Sequence, residues 1–112
     1  MVMGYIPECG DIVWLEFDPQ SGNEHKGTRP ALALSPRIYN QKSGLCVFVP
    51  ITSKIKGYPF EIILNGEVVQ GAILSDQVRS LDYRSRKARF CEKINEKILQ
   101  KVREKISLLI LD

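Results

Sequence analysis

The apolar pattern of this chain changes period once, close to its C-terminal end, and that change sets the architecture. Upstream of Glu92 the apolar residues come in short runs cut by Gly, Pro, Asn and Asp: Gly10–Phe17, Ala31–Leu34, Leu45–Ile51 and Phe60–Leu64. Runs of this length, rich in Ile, Val, Phe and Trp, read as strands. From about Glu92 onward Ile94, Ile98, Val102 and Ile106 recur every four residues, flanked by Leu99, Leu109 and Ile110, with Lys and Glu filling most other positions. That spacing predicts an amphipathic helix. The order predicts a mainly β fold: a small antiparallel barrel or strongly curved sheet with a C-terminal α-helix. The helical stripe is left to cover the open end of a barrel or to meet a partner subunit. A length of 112 residues suits one domain, 1–112, with its own core.

Within Gly10–Phe17, Ile12 and Trp14 share one face while Val13, Leu15 and Phe17 share the other, so both faces read as buried. Asp18–Thr28 is a polar loop, and Arg29-Pro30 leads into the second strand at Ala31. Arg37–Asn40 suits a single helical turn, with Gln41–Gly44 as a turn. Pro50 places Leu45–Ile51 at an edge or makes position 50 a strand end. Asn65-Gly66 is a hairpin signal, with Val68-Val69 and Ala72–Leu74 following. Asp76–Tyr83 is expected to continue as a strand, and Lys87–Cys91 is a further strand candidate.

Several classes of function find no support. The apolar runs are too short to span a bilayer, and no basic segment precedes an apolar run at the N-terminus. Cys9, Cys46 and Cys91 are widely spaced, with neither a disulfide framework nor a zinc pattern. They suit a reduced, cytoplasmic protein and read as core residues. His25 is the single histidine, and the carboxylates form no ligand pattern, so no metal or cofactor is expected. The net charge of +3 is modest. Arg79, Arg84, Arg86, Lys87, Arg89 and Lys93 nevertheless crowd one stretch, and Lys54 and Lys56 form a second basic pair. Clustered cations suit a polyanion, or else a solvated surface strand.

Three segments can carry chemistry. Asn23, Glu24, His25, Lys26, Thr28 and Arg29 crowd together immediately before an apolar strand. A strand that pins Arg29 could hold its cation at a phosphate, but spacing alone equally suits a surface arginine paired with a carboxylate. Pro50-Ile51-Thr52-Ser53 sets two hydroxyls at a strand end, where they can face a cleft or merely close a turn. Asp76-Gln77 is a polar pair beside apolar residues, which an exposed face would also explain.

Taken together, the segments resemble a known family. Gly27-Thr28-Arg29-Pro30 is similar to the GxRP motif of MazF/PemK-like toxins. Val49-Pro50-Ile51-Thr52-Ser53 resembles the family's VPITS-type strand end, and Asp76-Gln77-Val78-Arg79-Ser80-Leu81 its strand carrying DQ and Arg. Gly10-Asp11-Ile12-Val13-Trp14, Asp18-Pro19 and Lys56-Gly57-Tyr58-Pro59-Phe60 match as well, in order and over nearly the whole chain. The resemblance is closer to the MazF branch than to the PemK/Kid branch. The latter uses a first-loop His and an Arg two before the Asp, where this chain has Asn23 and Leu74.

The resemblance implies an SH3-like barrel of the CcdB/PemK type, a homodimer, and cleavage of single-stranded RNA, chiefly mRNA. It also implies an antitoxin whose acidic, flexible tail occupies the RNA groove. Catalysis falls on Arg29 and Thr52, with Glu24 at a position important for activity. Asn23, His25, Thr28, Ser53, Lys54, Lys56, Asp76, Gln77, Arg79 and Arg86 become the expected RNA contacts. Tyr58, Phe17 and Tyr83 are candidates for stacking bases, with core packing favoured for Phe17. The general base stays open, with Glu24 favoured over His25. Two other readings remain: a CcdB-like toxin that binds gyrase and cuts nothing, and a barrel that binds nucleic acid without cleaving it.

Overall fold

A computed structural model describes residues 4–16 and 27–111. The expectations for Phe17, Asn23, Glu24 and His25 therefore lie outside the described residues. Strands β1 (Asp11–Glu16), β2 (Thr28–Ala33), β3 (Leu45–Thr52), β4 (Glu61–Asn65), β5 (Gln70–Leu74), β6 (Arg79–Asp82) and β7 (Arg89–Lys93) pair in the order β4-β5-β3-β2-β1-β7, with β6 also on β3. Every pairing is antiparallel. Two helices, α1 (Arg37–Ser43) and α2 (Glu96–Ile110), complete the described chain.

The sheet is buried on both faces, as the pattern of β1 predicts. Ile12 and Trp14 pack with Leu32, Val49, Ile73, Leu99 and Val102 beneath α2. Val13 and Leu15 turn the other way, onto Ala31, Phe48, Leu81 and Tyr83. The curl brings the two ends of the sheet together. The Glu92 carboxylate of β7 accepts the backbone N–H groups of Glu67, Val68 and Val69 in the β4–β5 connection, at 3.0, 3.0 and 2.8 Å.

Several boundaries differ from the sequence expectation. The second strand starts at Thr28 rather than Ala31, because Pro30 sits inside the ladder opposite Trp14. Pro50 lies within β3, paired with Ala31. Leu34 N–H donates to Val47 O at 2.8 Å, so by antiparallel alternation the Ala31–Pro50 pair is a non-bonded one. The ring nitrogen of Pro50 thus faces away from β2. On that side β6 pairs with β3 as far as Phe48, and β5 pairs from Ile51. The proline stands where one strand changes neighbours, so no N–H is left over. The Asn65-Gly66 hairpin is present, but Val68 and Val69 lie in its connection, closed by Gly66 N–H to Val69 O at 2.9 Å. Asp76 and Gln77 are in the β5–β6 turn, where Gln77 N–H reaches Leu74 O at 3.0 Å, rather than in a strand.

The helical turn expected at Arg37–Asn40 runs on to Ser43, and Gly44, at φ 76°, donates its N–H to Asn40 O. Asn40 is fully buried. Its amide donates to Pro7 O and Ser35 O, and Tyr83 OH donates to its carbonyl. Helix α2 begins at Glu96, not near Glu92. Asn95 caps it by accepting Lys97 N–H at 2.8 Å, and Ile94 is still extended, its N–H on Gly10 O at 2.9 Å. Leu99 and Val102 are buried while Leu108, Leu109, Ile110 and Leu111 are exposed. The stripe therefore covers the sheet with its first turns and leaves its last turn bare.

Candidate active site

Arg29 enters on β2 opposite Leu15, and Thr52 ends β3. The β2–β3 ladder ends at Ala31–Pro50, and Thr52 pairs instead with Ala72 of β5. Arg29 and Thr52 line one open groove of about 630 Å³, with Thr28, Ser53 and Lys54 on its polar side. Trp14, Pro30 and Ile51 give it an apolar floor, and Val68, Val69 and Gln70 of the β4–β5 connection supply a wall.

Thr52 is held from two directions. Its Oγ1 accepts the Lys54 N–H at 3.1 Å, which leaves the hydroxyl proton free to be donated. Behind it, β5 approaches so closely that a Cβ on Gly71 would lie 2.1 Å from Thr52 O. Gly71 also has φ 153°. In the linear chain this contact shows only as a glycine between apolar segments.

A second groove of about 230 Å³ shares Thr52 and Lys54 with the first and adds Lys56, Tyr58, Asp76 and Gln77. Its basic loop is set by Glu61, whose carboxylate accepts Lys56 N–H and Gly57 N–H at 3.1 and 2.9 Å. The Lys56 ammonium sits 5.8 Å from the centre of the Tyr58 ring, which is 61% exposed. Thr28, Ser53 and Lys54 thus share a groove with Arg29 and Thr52, while Lys56, Asp76 and Gln77 share the second with Thr52 and Lys54 but not with Arg29.

Arg79 and Arg86 line neither groove. Arg79 is exposed on β6 opposite Phe48, and Arg86 Nη1 donates to Glu16 O at 3.1 Å, pinning the end of β1. The rest of the basic stretch is also partly committed to structure. Lys93 Nζ bonds Asp11 Oδ1 at 2.8 Å, and Arg84 lies over the Tyr83 ring. Tyr83 is 1% exposed, so it packs the core and does not stack bases. Cys46 is buried, and burial pushes its thiol up to about 11, which makes it a poor nucleophile at neutral pH. Among the described residues no three His, Cys, Asp or Glu side chains gather as a metal site.

A guanidinium, a hydroxyl and Lys54 line one open groove, and Lys56 lines the groove beside it, a set of groups with the chemistry to bind a phosphodiester. Residues 8–110 match the family model for PemK-like, MazF-like toxins of type II toxin–antitoxin systems. The chain belongs to the PemK/MazF toxin family. This PemK/MazF member is 46% identical over 110 residues to the endoribonuclease toxin MazF of Escherichia coli K12, covering 98% of this chain and 99% of that one. It is 32% identical over 108 residues to the Escherichia coli endoribonuclease PemK, covering 92% and 81%. Among solved structures it superposes on MazF of Deinococcus radiodurans with a TM-score of 0.86 at 46% identity, covering 96% and 99% of the two chains. It also matches a MazE–MazF complex from that organism with a TM-score of 0.84 at 43% identity, covering 95% and 96%. No described helix is long and apolar enough to cross a membrane.

Proposed function

We propose that this PemK/MazF member is the toxin of a type II toxin–antitoxin pair and cleaves single-stranded RNA, chiefly mRNA, at short sequences without a metal or the ribosome. The observation that supports this reading is that Arg29, Thr52 and Lys54 line one open groove. The 2′-OH of the substrate attacks the adjacent phosphorus and the bond to the 5′-oxygen breaks. The products are a 2′,3′-cyclic phosphate and a 5′-OH end. One proton leaves the 2′-OH and one reaches the leaving oxygen. Arg29 holds the phosphoryl oxygens with its planar fork, and the Thr52 hydroxyl donates to the charge that builds on them. Glu24, which precedes β2 in the chain, is the favoured base over His25. The groove contacts are Thr28, Ser53, Lys54, Lys56, Asp76 and Gln77, and Tyr58 stacks a base.

The relatives' names support the same reading: two are endoribonucleases, and the Deinococcus radiodurans toxin is seen with MazE. By analogy, the partner here is an antitoxin whose acidic tail fills the basic groove. The bare last turn of α2 suits a homodimer. An mRNA target and three free cysteines suit a cytoplasmic protein.

The test is primer extension on a long RNA incubated with purified protein in EDTA. Cleavage at discrete sites is expected, and Arg29→Ala should lower the rate by roughly a hundredfold or more while circular dichroism stays native. Cleavage that needs an added divalent ion, or survives Arg29→Ala, would sink this mechanism. RNA left intact beside a stable gyrase complex would favour the non-enzymatic toxin.

A further inference from the structure

The Val68–Gln70 wall of the Arg29/Thr52 groove hangs on a residue remote in sequence. Glu67, Val68 and Val69 turn three consecutive N–H groups toward the Glu92 carboxylate, Oε1 taking the first and Oε2 the other two. The approach is close: a Cβ on Gly66 would meet Glu92 Oε2 at 2.7 Å. Val69 is thereby buried against the core, while Val68, 58% exposed, stands at the groove with Gln70. Gln70 spends its amide N–H on Gly66 O at 2.5 Å, which ties it to the same turn.

We infer that Glu92 is a positioning residue for substrate binding: it fixes the groove wall against which RNA is held, though it touches no reacting atom. The inference rests on the reading of this groove as an RNA site. The arrangement fixes the sign of the effect. A carboxylate near a polyanion repels it, so losing an idle surface Glu92 would tighten RNA binding, most at low salt. Losing a carboxylate that preorganises the wall has the opposite sign, because the free loop must be ordered each time substrate binds. That penalty persists at high salt.

The experiment compares wild type, Glu92→Ala and Glu92→Gln on a single-stranded RNA oligonucleotide containing one mapped cleavage site, at low and high salt. Amide exchange at Glu67–Val69 is followed in parallel. Glu92→Ala should raise KM roughly fivefold at both salt concentrations, leave kcat nearly unchanged and speed exchange at those amides. Glu92→Gln keeps one acceptor oxygen and should fall between the two. It carries the test if the alanine variant does not fold. A KM that is unchanged or lower in both variants, or a loss confined to kcat, overturns the inference. A wild type that leaves RNA intact overturns the reading of the groove and the inference with it. A wild type that cleaves, with variants that bind equally well, overturns the inference alone.

Discussion

At the scale of single residues, the site separates side chains that handle charge from those that hold them in place. Thr52 belongs to the first group, and its Oγ1 is already aimed by the Lys54 N–H. Removing the hydroxyl without changing the shape is the informative substitution. Thr52→Val should lower kcat roughly a hundredfold, because a donor to the developing charge is lost. Thr52→Ser should retain most of the rate. Single-turnover cleavage under saturating protein reads both, and a fully active valine variant would remove Thr52 from the mechanism. The contribution of Thr52 was legible in the sequence only through the family motif, since a Thr-Ser at a strand end equally suits a turn. Arg29 is a similar case. The groove it shares with Thr52 is closed by the β4–β5 connection, which a linear sequence does not display.

Among elements, the contact between β5 and β3 decides where Thr52 can be. Gly71 passes within van der Waals range of Thr52 O, with no room for a methyl group. Gly71→Ala should therefore push the two strands apart, cost about 1–3 kcal/mol of stability, and lower kcat by displacing Thr52. Urea unfolding and cleavage kinetics on the same preparation check both effects. In a Thr52→Val background the kcat effect of Gly71→Ala should vanish, and an undiminished effect would mean that Gly71 does not act through Thr52. The strands themselves were readable from short apolar runs and turn residues. The start of α2 was not, because Ile94 fits the four-residue stripe while its backbone still belongs to the sheet. Asp76 and Gln77 were misread as strand residues for a related reason: Val78 and Leu81 beyond them share the apolar character of β5, so composition hides the turn.

For the molecule as a whole, the field around the groove is uneven. Lys54 and Lys56 stand on the two grooves, whereas Arg84, Arg86 and Lys93 have partners within the fold. Binding of a non-cleavable single-stranded oligonucleotide should weaken as salt rises. Lys54→Ala and Lys56→Ala should each reduce the slope of log K against log salt by about 0.7, the value for one phosphate contact on a single strand. Arg84→Ala should leave the slope unchanged. Equal slopes for all three variants would place the RNA elsewhere. Sequence reading found the basic residues but could not separate these two classes, because the partners of Arg86 and Lys93 lie far away along the chain.

Position 50 suits proline for a reason unrelated to catalysis. Pro50 occupies the fork at which β3 exchanges β6 for β5, with its nitrogen facing the gap between them. Any other amino acid would bring an N–H into that gap, beyond the last pair of each ladder that β3 makes on this side, and left unpaired it would cost about 1–3 kcal/mol. A residue usually regarded as an interruption of strands is here the one that lets a single strand belong to two neighbourhoods. Thr52 lies two residues further along the same strand, just past the fork.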